Sequence, residues 1–200
     1  MNIKIRHGAA HVIGIILGVI VLAAIIIGIA FISSYNKAVR MDEGVKEKWA
    51  EIENQLKRRY DLIPNLVETV KGYAAQEKEI FEHIADARTA YFSAKTVADK
   101  AEASAGVERA LSRLLMLQET YPELKSNENF LKLHDSLEGT ENRISVARTY
   151  YNNAAKELNS FARSFFGRIV APMAGVEKAD YFELPDEQKE KAQDAPPVKF

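Results

Sequence analysis

The sequence predicts an all-α protein: a single N-terminal transmembrane helix followed by an antiparallel bundle of about four long helices. Three observations lead there. Residues 12–32 are an apolar run of 21 residues without a charge. From residue 36 onward, apolar side chains recur at every third or fourth position, the spacing of a helix with one buried face. Alternating apolar and polar runs, the signature of strands, are missing. Three segments follow: residues 1–35 with the span, a helical domain over residues 36–171, and a tail over residues 172–200.

The span reads VIGIILGVIVLAAIIIGIAFI. At about 1.5 Å per residue it covers the ~30 Å hydrocarbon core of a bilayer. It is longer than the apolar stretch of a signal peptide, and Phe31, Ile32 and Tyr35 leave no clean cleavage site around the two serines. It is therefore expected to stay as an anchor in the cell membrane. Two basic residues, Lys4 and Arg6, precede it, and four follow within twenty residues: Lys37, Arg40, Lys46 and Lys48. That bias leans toward a cytoplasmic domain. Ala10, Gly14 and Gly18 form a ladder of small residues that would let two such helices approach closely.

After residue 32 there are 28 acidic and 25 basic residues, a net charge of −3. No basic face for nucleic acid follows from that balance. The absence of cysteine removes disulfides, thiolate metal sites and thiol nucleophiles.

The first helical stretch is Val45, Trp49, Ile52, Leu56 and Ile63. Pro64 predicts a kink or restart near residues 62–65, because proline removes a backbone donor and crowds the preceding turn. Asp61 would cap the restart. The second stretch runs from Leu66 through Val70, Tyr73, Glu77, Ile80, Ile84 and Ala87 to Tyr91 as one helix. The small and polar residues 94–104 read as a join. The third stretch, Val107 to Tyr121, is stopped by Pro122, and the fourth runs from Phe130 to Phe165, with Ser126 and Asn129 as its start signal. The two prolines interrupt any continuous seam, which favours a bundle over one long coiled coil. The tail holds four of the six prolines and many charges, so much of it is expected to be mobile, with Tyr181, Phe182 and Leu184 as a patch that could dock.

The chemistry-bearing constellations are sparse. Glu-x-x-His pairs for a carboxylate-bridged metal centre are missing, and phosphate-binding and nucleophile-elbow motifs do not occur. Glu79 and His83, like His134 and Glu138, sit one turn apart and read as solvated helix faces. No catalytic, metal or cofactor-binding residue is expected. One polar cluster stands out: Arg59 lies on the apolar stripe, and Glu141, Asn142 and Arg143 interrupt the apolar face of the fourth stretch. A buried acid needs a partner, and Arg59 is the candidate. The cluster reads as an inter-helix salt bridge, or alternatively as a polar ligand site.

The motif LKRRYDLIPNLVETVKGY, Leu56 to Tyr73, resembles the LemA family closely. Ser34-Tyr35-Asn36, Tyr121 to Lys125, Asn129-Phe130, Thr140 to Ile144, Ala147-Arg148, Tyr151-Asn152, Tyr181 to Glu183 and the final Pro197 to Phe200 resemble it further. The chain departs where the family favours Phe-Pro and this sequence has Phe165-Phe166. Without that proline the last helix is expected to run on toward Ala171. The resemblance implies the membrane helix and the antiparallel bundle, and no established reaction or cofactor. The expected function is a non-enzymatic interaction or scaffold role at the membrane, through a protein partner or self-association. The alternative is a membrane-tethered sensor for a small polar ligand at Arg59, Glu141, Asn142 and Arg143.

Overall fold

The computed structural model describes residues 4–183, with side chains from residue 14 onward. Its regular structure is helical throughout: α1 (Lys4–Lys71), α2 (Lys78–Ser93), α3 (Val97–Thr120), the single turn α4 (Pro122–Lys125), α5 (Glu128–Ala162) and the short α6 (Gly167–Met173). No strand occurs among the described residues. The all-α expectation holds, and the long apolar helix is the N-terminal part of α1. The chain divides into two units, one from residues up to 44 with residues 156–178, the other from residues 45–155 with residues 179 onward.

Pro64 lies inside α1, and no restart occurs there. The proline still removes the hydrogen bond to the carbonyl four residues back, at a cost of roughly 3 kcal/mol. Tyr60, Ile63 and Leu66, which flank it, are all fully buried. Burying such side chains is worth roughly 1.5–3 kcal/mol each, enough together to hold the helix through the proline. The break comes later. α1 ends at Lys71, and Tyr73 and Ala74 both donate to the Val70 carbonyl, at 2.9 Å. The stretch read as one helix from Leu66 to Tyr91 is therefore two, joined by a turn.

The join expected over residues 94–104 spans only residues 94–96. Thr96 caps α3 by accepting the Asp99 N–H at 3.0 Å, and Ala101, Ser104 and Ala105 are buried. These small residues are a contact face of α3, not a connection. α5 begins one residue later than its expected start signal. Asn127, not Ser126, is its cap, accepting the Phe130 N–H at 2.9 Å, while Ser126 Oγ donates to the Glu123 carbonyl. Asn127→Ala is expected to cost about 1–2 kcal/mol in urea unfolding, since it also removes the bond to Tyr73, and Ser126→Ala less than about 0.5 kcal/mol.

Within the second unit, side-chain pairs define the helix order. Trp49 meets Tyr151 at 5.5 Å between ring centroids, Arg59 meets Glu141, and Asn127 donates to the Tyr73 hydroxyl at 2.9 Å. The two residue numbers of each pair add up to the same total, so α1 and α5 run antiparallel in one unbroken register. Tyr60 packs on Tyr91 at 4.4 Å and Lys71 lies over Phe81 at 5.6 Å, which makes α2 antiparallel to α1. Glu53 pairs with Lys100, and beyond the end of α1 Glu77 accepts from Tyr121 at 3.0 Å, so α3 runs parallel to α1. The result is an up-down-up-down four-helix arrangement. Its core holds Ile52, Leu56, Tyr60, Ile63, Leu66, Leu114, Phe130, Ile144 and Tyr151.

Burial pushes the Tyr60 phenol from the ordinary 10 up to about 12, and burial raises Tyr91 as well. A folded state that holds a phenolic proton more tightly is favoured fully below pH 10 and loses that advantage above it. Stability is expected to fall by about 1.4 kcal/mol per pH unit for Tyr60 between pH 10 and pH 12. Ser104 stands close to the Tyr60 hydroxyl, and neither group makes a well-formed hydrogen bond among the described residues. Tyr60→Phe should therefore change neutral-pH stability by less than about 1 kcal/mol and reduce the alkaline loss without abolishing it, because Tyr91 still contributes.

The first unit contains the apolar part of α1. From Ile15 to Ile32 its large side chains are more than half exposed, apart from Phe31. Gly14 and Gly18 have open space where a Cβ would stand; Ala10 lies outside the described side chains. Lys37 sits over the Phe161 ring at 5.2 Å. α5 does not run on to Ala171 as expected. It stops at Ala162, and α6 starts at Gly167, where a Cβ would fall 1.8 Å from the Phe161 carbonyl oxygen. The close approach of the two backbones makes the turn. α6 ends on Gly175 at φ +68°, and Val176 donates back to Ala171 at 2.9 Å, closing the last turn of the helix.

Candidate functional site

The four polar residues singled out by sequence do not gather at one point. Arg59 is 6% exposed, on the core stripe of α1, and its guanidinium donates to the Glu141 carboxylate on α5. An arginine cannot shed its charge, so burial at this position requires an acid beside it. Thr140, on the same turn as Glu141, is fully buried and satisfied by the Leu137 carbonyl at 2.8 Å. Asn142 and Arg143 lie on the exposed side of α5, and Arg143 reaches along its own helix over Gly139.

Asn142 and Arg143 instead border a groove of about 430 Å³ between α1 and α5. Glu51, Asn54 and Gln55 form its α1 wall, with Val146, Ala147 and Tyr150 along α5. Val146 and Tyr150 are 54% and 57% exposed, large apolar surface on an otherwise polar helix face. Gln55 Oε1 is shielded there without a hydrogen-bond partner among the described residues. An open groove with apolar flanks and a few polar groups suits an elongated partner better than a small molecule, which would need enclosure on most sides.

A second polar arrangement escaped the sequence reading. Asn152 on α5 brackets one residue of the tail: its Oδ1 accepts the Phe182 N–H at 2.9 Å and its Nδ2 donates to the Phe182 carbonyl at 3.0 Å. Tyr151 donates to the Asp180 carbonyl at 2.7 Å. The Phe182 ring lies 6.0 Å from Trp49 and 4.7 Å from the Arg148 guanidinium. Residues 180–182 are thus held in place, with Phe182 docked as the patch allowed for within the tail; Leu184 lies outside the described residues. The adjacent pairs Tyr151-Asn152 and Tyr181-Phe182 were visible in the sequence, but nothing in their spacing said that they meet.

The two His–Glu pairs, His83 with Glu79 and His134 with Glu138, are each 3.4 Å contacts within one helix. Among the described residues no three His, Asp or Glu side chains come together as metal ligands would. His7 and His11 lie outside the described side chains.

The geometry defines a class: an all-helical protein with a candidate N-terminal membrane helix and a four-helix unit bearing an open groove. More particularly, the chain belongs to the LemA family, whose sequence profile matches residues 48–200. Among its relatives are magnetosome proteins MamQ 1 and MamQ 2 of Paramagnetospirillum magneticum, each 30% identical over 185 residues, covering 78% of this chain and 68% of the relative. Magnetosome protein MamQ of Magnetospirillum gryphiswaldense is 27% identical over 184 residues, covering 77% and 68%.

Proposed function

We propose that this chain is a single-pass protein of the cell membrane whose helical domain, on the cytoplasmic side, serves as a non-enzymatic interaction scaffold. The observation that carries the reading is the α1–α5 groove, with Val146 and Tyr150 exposed beside Asn54, Gln55 and Arg143. Exposed apolar side chains rimmed by polar ones are how helical domains receive a partner helix. The apolar part of α1 supports the anchor, since a helix with bare isoleucine and leucine on every side has no stable place in water. Gly14 and Gly18 would serve self-association within the bilayer.

A photo-crosslinking residue placed at Tyr150 in intact cells tests this. The expected result is a discrete protein adduct that disappears when Val146→Asp is added and does not form from Ser112 on the exposed face of α3. An adduct of twice the chain mass would identify a second copy as the partner. Equal labelling from all positions, or none from Tyr150, would contradict the reading. The alternative, a sensor for a small polar ligand, has less support because Arg59 already holds Glu141.

A further inference from the structure

The turn after α5 and the short α6 carry apolar side chains on two sides. Gly167, Val170 and Ala171 are buried. Phe166, Ile169 and Met173, spaced by three and four residues, form a second stripe that is 39%, 53% and 64% exposed. Phe165, 75% exposed, stands edge-on to Phe166 at 5.3 Å. A helix apolar on both faces needs cover on both. Arg163 and Arg168, both exposed, flank the stripe.

The same unit indicates what the cover is. Lys37 lies over Phe161, and the Gly167 backbone is packed against the Phe161 carbonyl. The start of α6 is therefore level with Lys37. Lys37 is five residues past Ile32, the last residue of the apolar run, or about 7.5 Å along the helix axis. A bilayer of ~40–45 Å has a ~30 Å hydrocarbon core, which leaves an interfacial layer of roughly 5–8 Å on each side. The start of the stripe thus comes within reach of the layer where aromatic rings are favoured and where arginines reach phosphates.

We infer that residues 163–173 are a second membrane contact, an interfacial anchor in which Phe165, Phe166, Ile169 and Met173 enter the headgroup boundary of the bilayer that α1 crosses. Arg163, Arg168 and Lys37 face the lipid phosphates. This holds the exit of the membrane helix at two points instead of one. The inference rests on the anchoring proposed above.

The chain has no cysteine, so single-cysteine variants can be labelled without background. The full chain, reconstituted in vesicles of phosphatidylcholine and phosphatidylglycerol, would carry an environment-sensitive fluorophore at Ile26→Cys, Phe165→Cys, Ile169→Cys or Ser112→Cys. Nitroxide lipids labelled at shallow or deep positions report depth. The expected pattern is deep quenching at Ile26 and blue-shifted emission with shallow quenching at Phe165 and Ile169. Quenching at those two sites should be several-fold above that at Ser112, which should give water-like emission. If Ile26 is quenched while Phe165 and Ile169 give water-like emission, the inference is wrong and the anchor stands. Blue-shifted but unquenched emission at those two sites would mean protein covers the stripe, and would overturn it equally. An unquenched Ile26 would remove the anchor itself, and the inference with it.

Discussion

Glu141→Ala is expected to lower the unfolding free energy of the helical domain by about 2–3 kcal/mol. The loss comes less from the ion pair than from what remains. The Arg59 side chain is 8% exposed and sits on the core stripe of α1, and a guanidinium cannot become neutral to relieve its burial. Glu141 keeps more contact with water, at 35%, so the effect falls below that of a fully buried pair. The companion variant decides the mechanism. Arg59→Met combined with Glu141→Leu replaces both charges with apolar groups and should recover most of the loss, because a buried pair roughly offsets its own desolvation. Urea unfolding of the detergent-solubilised chain measures both, with unchanged slopes as the condition for comparing midpoints. A Glu141→Ala variant within about 0.5 kcal/mol of the parent would contradict the burial argument.

Gly167→Ala is expected to disrupt the turn between α5 and α6, at a local cost of about 2–3 kcal/mol. The added carbon would fall 1.8 Å from the Phe161 carbonyl oxygen and 2.7 Å from its carbon, both backbone atoms that no rotamer change can move away. Hydrogen exchange provides the readout. Amides between residues 164 and 176, including the Val176 N–H on Ala171, should lose protection, while those of α2 and α3 should not change. Equal loss across α2 and α3 would mean that Gly167 matters for the whole fold rather than for its own turn.

Much of this architecture could be read from the residues, and the misreadings have physical causes. The uncharged run and the 3–4 spacing identify a helical protein because both measure burial directly. Pro64 was expected to interrupt α1, and three buried neighbours outweigh it. The turn after Lys71 was invisible because Tyr73 and Glu77 keep the helical phase across it by coincidence. Ala101, Ser104 and Ala105 looked like a connection because small side chains carry little hydropathy, although small size is what suits a close helix contact. Arg59 and Glu141 could be paired from sequence, since a charge on a core stripe demands its opposite. Asn142 and Arg143 could not be separated from them, because one helix turn points its residues to different sides. The bracket of Asn152 on Phe182 joins residues 30 apart across a turn, α6 and an irregular stretch, so no single periodicity links them. Phe165 fell at the next position of the α5 stripe and read as core, when the helix had already ended.

We propose that the apolar N-terminal helix is a permanent membrane anchor for the helical domain. Alkaline carbonate extraction of membranes from cells expressing the chain, followed by intact-mass measurement, tests it most directly. The chain should remain in the pellet at its full mass, with residues 12–32 retained. A soluble product shortened by its first thirty-odd residues would contradict the account.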